Sequence, residues 1–437
     1  MKIEPKKVDK GLKDSQRRVD MGRVACIVLG GGQGTRLFPL TSSRCKPAIC
    51  FGGSYRLIDI PLANAIHSRC QRIFVLTQFL SASLHRHIFS TYSRSPYSSG
   101  FIELLAAEQR PETPKSWYEG TADAVRKNLD YFFECPADYF LILSGDQLYS
   151  MDFEKMVGFA IERCADLTIA TLAVPRKDIH RMGVLKVDDE SKVTGFFEKP
   201  TDAHTIEELA IPNGNNPLTD PDARWWGSMG IYVIRRETLW NMLKNDLRDD
   251  FGKHLIPKMV SEGGVYAFQH EGYWEDIGTI ESFYEANLAL VDPHPPFDPF
   301  DIDHCLYREP HHLPSSRLID CQLDRVLIGE ATQLTGCKIT HSIIGTRTLI
   351  GEGTTVKDSY IMGSDIYRSP ASAHIPSSIG KNCLIERAIL DINVTIGDNV
   401  RLVNHEGLTS FDSHSVYIRD GIIVVKRGSR IPDGFTL

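Results

Sequence analysis

The residues with the clearest capacity for chemistry lie near the start of the chain. Gly30, Gly31 and Gly32 end a short apolar run, Val24 to Leu29, and lead into Gln33-Gly34-Thr35-Arg36-Leu37. Glycines let the backbone approach a polyphosphate closely, so that several N–H groups donate to it, while Arg36 supplies charge to a developing pyrophosphate. Lys46, in Arg44-Cys45-Lys46-Pro47, offers a second cation for the same phosphates; the alternative is a solvated surface lysine. This is not a Walker loop, because no Gly-Lys-Ser/Thr follows, nor is it the GxGxxG of dinucleotide-binding domains.

Such a loop needs a strand to deliver it. Val24 to Leu29 reads as a buried strand, and apolar runs recur at Ile73 to Thr77, Tyr139 to Ser144, Leu167 to Leu172 and Gly230 to Ile234. The stretches between them suit helices such as Thr121 to Phe133. This alternation predicts an α/β domain with a mostly parallel sheet covered on both faces, whose ligands gather at the carboxyl ends of the strands. Pro293, Pro295, Pro296 and Pro299 mark a linker, after which the period changes to six: Ile328 and Leu334, then Ile344, Ile350 and Val356, then Ile379 and Ile385. Glycine follows Ile328, Ile344, Ile350, Ile379 and Ile396. The spacing predicts a hexapeptide-repeat parallel β-helix, with a β-sandwich of coincidental spacing as the alternative, and Ser364 to Ser377 as a loop leaving the coil. End coils of such a domain often dock neighbouring subunits. The expected boundaries are a mobile tail over 1–22, a catalytic domain over 23–291, a linker over 292–315 and the β-helix over 316–437.

The 437 residues suffice for two or three domains. A composition of 42% hydrophobic and 24% charged residues, with no apolar run near the roughly 20 residues of a membrane span, excludes transmembrane and fibrous classes. A net charge of −7 argues against a dedicated nucleic-acid binder. Ten cysteines without a CxxC pair fit a reducing compartment. The first 22 residues lack an apolar signal core and mix Glu4, Asp9, Asp14 and Asp20 with their basic residues, so a cytoplasmic location is expected.

In order along the chain stand GGGQGTRLFPLT, RCKPAICFGGSYRLIDIPLANAIHS, WYEGTADAVRKN, LSGDQLYSMD, GFFEKP, SMGIYV and YWEDIGT. Together these resemble glucose-1-phosphate adenylyltransferase, also called ADP-glucose pyrophosphorylase, of the plant and cyanobacterial-like branch. The first and fourth motifs are common to sugar nucleotidyltransferases; GGSYRLID and WYEGTADAV are more particular to the adenylyl branch. The resemblance implies a Rossmann-like, mixed, mostly parallel sheet domain followed by a left-handed parallel β-helix. It implies attack of glucose 1-phosphate on the α-phosphate of ATP, giving ADP-glucose and pyrophosphate for glycogen or starch synthesis.

The resemblance also implies roles for single residues. Arg36, Lys46 and Asp146 would be catalytic, with Asp146 and Asp276 holding Mg²⁺. Leu29, Gly30, Gly31, Gly32, Gly34, Thr35, Gly120, Thr121 and Ala122 would line the nucleotide pocket, and Gln109 would read the adenine edge. Tyr118, Gly183, Glu198, Lys199 and Ser228 would bind glucose 1-phosphate. Arg44 and Arg427 match positions of an effector anion site, whereas Ser43 and Ile392 stand where lysines are usual. Other departures are Ala63, Ala65, His67 and Arg69 in the ANAIHSR segment, and Gln147 in place of histidine. A homotetramer, or a heterotetramer with a sister subunit, is expected. Competing readings are a transferase for UTP, dTTP or GTP, a non-catalytic regulatory subunit, and a β-helical acyltransferase.

Overall fold

The computed structural model describes residues 19–92, 100–108, 117–212, 220–309, 312–365 and 378–437. Residues 1–18 of the expected tail, and most of the expected loop after Ser364, lie outside these. The described chain enters through a 3₁₀ turn, Met21–Arg23, with Met21 buried, and passes directly into the strand Val24–Leu29.

That strand lies inside a nine-stranded mixed sheet. It pairs in parallel with Arg72–Thr77 on one side and Tyr139–Ser144 on the other. Phe101–Ala106 extends the parallel half, while Trp225–Arg235 runs antiparallel to Tyr139–Ser144 and carries the sheet to its other flank. The apolar runs are continuous rather than alternating because both faces are covered. Cys26 and Val28 join one buried cluster with Ile73, Val75, Leu141 and Leu143. Ala25 and Ile27 join another with Phe74, Phe140 and Ile142.

Beyond the prolines the chain winds into stacked parallel strands. Ile339 lies beside Val356 and Ile379 beside Ile396, each 17 residues further along. The six-residue period arises because each coil turns its corners tightly. Gln322–Ile328, Lys338–Ile344 and Thr355–Ile361 bend at Arg325, His341 and Asp358, whose φ values are 50°, 45° and 45°. The inward residues, among them Leu334, Ile344, Ile350, Val356, Ile379 and Ile385, form one buried column.

The two domains share a core. Leu37, Leu40, Ile49, Phe51 and Phe283 pack into the same buried cluster as Ile343, Tyr360, Met362, Ile392, Tyr417 and Val424 of the β-helix. Tyr360 Oη accepts from Gly53 N–H at 3.3 Å, and Tyr284 Oη donates to Asp358 O at 2.6 Å. An apolar seam of this kind holds the domains as one unit, unlike the polar interfaces that permit independent domain motion. Among the described residues no helix is long and apolar enough to cross a membrane.

Candidate active site

Strand register brings the glycine loop and the Asp146 turn together. Leu29 pairs with Ser144, so Gly30–Gly34 and Gly145-Asp146 leave the sheet side by side. Gly145 N–H donates to Leu29 O at 3.1 Å, and Gly30 N–H to Leu76 O at 2.8 Å. Beyond that point the backbone amides are free: among the described residues Gly31, Gly32, Gln33 and Gly34 N–H reach no protein acceptor. Gly34 has φ of 62°, where glycine is favoured, and a Cβ there would stand 3.0 Å from Lys46 Cβ. The loop and the lysine segment are therefore in van der Waals contact.

Lys46 opens a 3₁₀ turn, Lys46–Ala48, with Pro47 fixing its direction. Its Nζ donates to Asp146 Oδ2 at 2.6 Å and lies 3.7 Å from Asp276 Oδ1. Asp276 reaches this place because Trp274–Asp276 pairs antiparallel with Gln147–Tyr149, setting Asp276 opposite Gln147. Burial works against ionisation of Asp146, but the Lys46 ammonium, the Ser144 hydroxyl and Arg36 hold its carboxyl below the usual carboxylate range. Asp276 is pushed up, by burial first and by Asp146 as well, against the opposing pull of Lys46. Arg36 is exposed, with its guanidinium over Gly278.

Two half-buried carboxylates converge on one ammonium, with the Arg36 guanidinium nearby. That donor set fits a hard divalent cation, with phosphate oxygens completing the shell. Among the described residues no group of three or more histidine, cysteine or carboxylate side chains could hold a metal unaided.

The other expected residues divide into groups. Glu198 pairs with Gly183 across an antiparallel edge hairpin, and Lys199 follows with φ of 48°, its side chain 53% exposed and its Nζ 3.4 Å from Glu198. Ser228 is buried in Trp225–Arg235, where its Oγ accepts from Gly230 N–H at 3.3 Å. Tyr118 is held by Gln78, whose Oε1 accepts from Tyr118 N–H at 2.7 Å, and its hydroxyl accepts from Asn128 Nδ2 at 3.0 Å. Gly120, Thr121 and Ala122 begin the helix Thr121–Lys127, and Ala122 N–H donates to Asp249 O at 2.8 Å. The Asp249 carbonyl would stand 2.3 Å from a Cβ on Gly120, so only glycine fits. Gln109 lies outside the described residues.

Arg44 and Arg427 are not alike in position. Arg427 lines a cleft of about 570 Å³ between the domains, together with Arg56, Arg86, Arg308 and Arg347, and donates to Asp365 at 2.6 Å. Arg44 is 1% exposed and paired inside the protein with Asp391.

Three supporting contacts were not visible in the sequence. Gln147, flagged only as a departure, is buried and accepts from Trp274 Nε1 at 3.3 Å, which secures the strand bearing Asp276. Arg181 donates to Glu275 at 3.0 Å from the other side of that strand. Asp249, closing over the Gly120 turn, carried no signal at all.

Two family models match the chain. Residues 25–292 match nucleotidyl transferase, and residues 311–436 match the GLGC left-handed parallel beta-helix domain.

Proposed function

The chain belongs to the nucleotidyl transferase family, and on that premise we propose that it transfers the adenylyl group of ATP to glucose 1-phosphate, releasing pyrophosphate and ADP-glucose. The observation carrying the reading is Lys46 set between Asp146 and Asp276 at the mouth of a glycine turn with unused N–H groups. The adenylyl and glucose choice is supported by the GGSYRLID and WYEGTADAV segments and by a β-helix of the kind matched at residues 311–436.

In this reading the Gly31–Gly34 amides and Arg36 bind the triphosphate, and Lys46 stabilises charge that builds on the α-phosphate during in-line attack. Asp146 and Asp276 are the residues that would hold Mg²⁺, whose chemistry is to neutralise phosphate charge. Glu198 accepts from sugar hydroxyls and Lys199 grips the phosphate of glucose 1-phosphate, with Tyr118, Gly183 and Ser228 beside it. Gln109 reads the adenine edge, since an amide both donates and accepts. Pyrophosphate release from glucose 1-phosphate with ATP, UTP, dTTP or GTP at equal concentration, followed by product identification, tests this. ADP-glucose should dominate; a preference for UTP or dTTP refutes the nucleotide assignment.

A further inference from the structure

The segment from Arg36 to Lys46 carries one cation of the site at each end, yet it contains no strand. Its regular pieces are two 3₁₀ turns, Thr35–Leu37 and Lys46–Ala48. Within the catalytic domain it is tied by few polar contacts, among them Thr41 Oγ1 donating to Gly34 O at 3.0 Å and Cys45 N–H to Leu80 O at 3.3 Å. The β-helix grips it twice, each time two residues from a cation. Phe38, two after Arg36, meets Tyr417 edge-on with ring centroids 5.3 Å apart, and the Arg419 guanidinium lies 6.0 Å from the Phe38 ring. Arg44, two before Lys46, pairs through Nη2 with Asp391 Oδ1 at 2.5 Å, with both side chains sealed from solvent. Asp391 Oδ1 also accepts from Ile392 N–H at 2.6 Å, and Arg44 Nη2 lies 3.6 Å from Met362 Sδ.

A buried ion pair is a poor source of net stability, because desolvation offsets the attraction and a well-packed apolar pair of similar volume does as well. This one is also incompletely satisfied: among the described residues Arg44 Nε and Nη1 and Asp391 Oδ2 have no partner. In some proteins such a buried polar pair instead serves to fix a single docking geometry.

We propose that Arg44 and Asp391 are positioning residues for nucleotidyl transfer, their buried pair fixing the segment that ends in Lys46 against the β-helix. The β-helix is then part of the scaffold that places the phosphate cations. The inference rests on reading Arg36 and Lys46 as those cations.

The test uses the full chain and three variants. Arg44→Met with Asp391→Leu removes both charges and keeps the volume; Asp391→Glu lengthens one arm; Arg44→Lys with Asp391→Glu shortens the other arm to match. Pyrophosphate release gives kcat and KM, and amide hydrogen exchange by mass spectrometry follows residues 34–49. The double apolar variant should keep its fold and both KM values to within about threefold. Its kcat should fall about 10- to 100-fold, the loss expected of a catalytic group displaced by an ångström or so. Exchange over residues 34–49 should rise about fivefold or more, with Val24–Leu29 unchanged. Asp391→Glu should lose kcat similarly, and adding Arg44→Lys should recover most of it. Wild-type kcat and exchange in the folded double variant overturn the proposal. If that variant does not fold, Asp391→Glu decides: full kcat with unchanged exchange overturns it equally. A wild-type protein that turns over no nucleotide and sugar phosphate refutes the functional reading instead, and exchange over residues 34–49 still judges the link.

Discussion

Replacing Lys46 by methionine isolates the charge, because the apolar stem that touches Gly34 is kept. With Nζ 2.6 Å from Asp146, the attraction lies between ~1.6 kcal/mol at the permittivity of water and ~6 kcal/mol at an effective value of about 20. The three side chains are 10%, 24% and 29% exposed, so solvent screens the pair and the net effect belongs toward the lower limit. Removing the ammonium also leaves two facing carboxylates without their shared cation. Together these predict a loss of about 2 kcal/mol, below the ~3–5 kcal/mol of a fully buried pair broken on one side. In a chain of this size that lowers the unfolding midpoint by roughly 2–4 °C in scanning calorimetry. The catalytic loss should be larger, about 10²- to 10³-fold in kcat, because a preorganised cation acts on charge that develops only in the transition state. Pyrophosphate release at saturating substrates measures it. A Lys46→Met protein that keeps a tenth of wild-type turnover would refute the reasoning, whatever its stability.

Asp146→Asn should lower kcat by several orders of magnitude while leaving glucose 1-phosphate binding nearly unchanged, and isothermal titration beside kinetics separates the two. Lys199→Ala should do the reverse, raising KM for glucose 1-phosphate far more than it lowers kcat; an unchanged KM would make Lys199 a plain surface lysine. Gly120→Ala must displace the Asp249 carbonyl, which would stand 2.3 Å from the new Cβ, and should lower the unfolding midpoint and raise KM for the nucleotide together. Activation by 3-phosphoglycerate should stay under about fivefold at millimolar effector, since Ser43 and Ile392 bring no charge and Arg44 is sealed against Asp391; strong micromolar activation in rate measurements would contradict it.

Val24 to Leu29, Ile73 to Thr77 and Tyr139 to Ser144 were legible because these parallel strands are covered on both faces and so read as unbroken apolar runs. The edge strand Phe101–Ala106, with Glu103 and Ala106 exposed, was missed. The β-helix was legible because each coil repeats the same inward position, from Ile339 to Val356 and from Ile379 to Ile396. Asp276 was a different case. Its approach to Asp146 depends on a two-stranded ribbon whose halves are more than a hundred residues apart, and no local pattern announces that pairing. Arg44 was misleading for a related reason. The resemblance matched it to an effector anion position, whereas the β-helix covers it and supplies Asp391 from far along the chain. Gln147 could be noticed as unusual without its partner, Trp274 Nε1, being foreseeable. Contacts that close between distant segments leave composition and periodicity untouched, and those contacts hold the two carboxylates and the lysine at their separations.

A phosphate-binding turn faces two opposed demands. Its N–H groups must stay unpaired to donate to ligand oxygens, which excludes the helical and sheet ladders that would consume them. Its position must nevertheless be fixed to a fraction of an ångström, because electrostatic stabilisation depends on donors and cations that need not reorganise during reaction. Regular structure can supply the second only by forfeiting the first. In this chain the strand Val24–Leu29 delivers one end of the turn and its pairing partners deliver Asp146. The irregular stretch that follows is then held from outside by side chains: Leu37 and Leu40 buried in the shared core, Phe38 against Tyr417, Arg44 against Asp391. Behind those contacts the coils stack through continuous strand pairing, with Lys338–Ile344 lying between Gln322–Ile328 and Thr355–Ile361, and the inward column is buried. On the proposed reading, unpaired backbone at Gly31–Gly34 and fixed placement of Arg36 and Lys46 are compatible because side chains on a second domain do the anchoring, which leaves the amides of the turn available to phosphate oxygens.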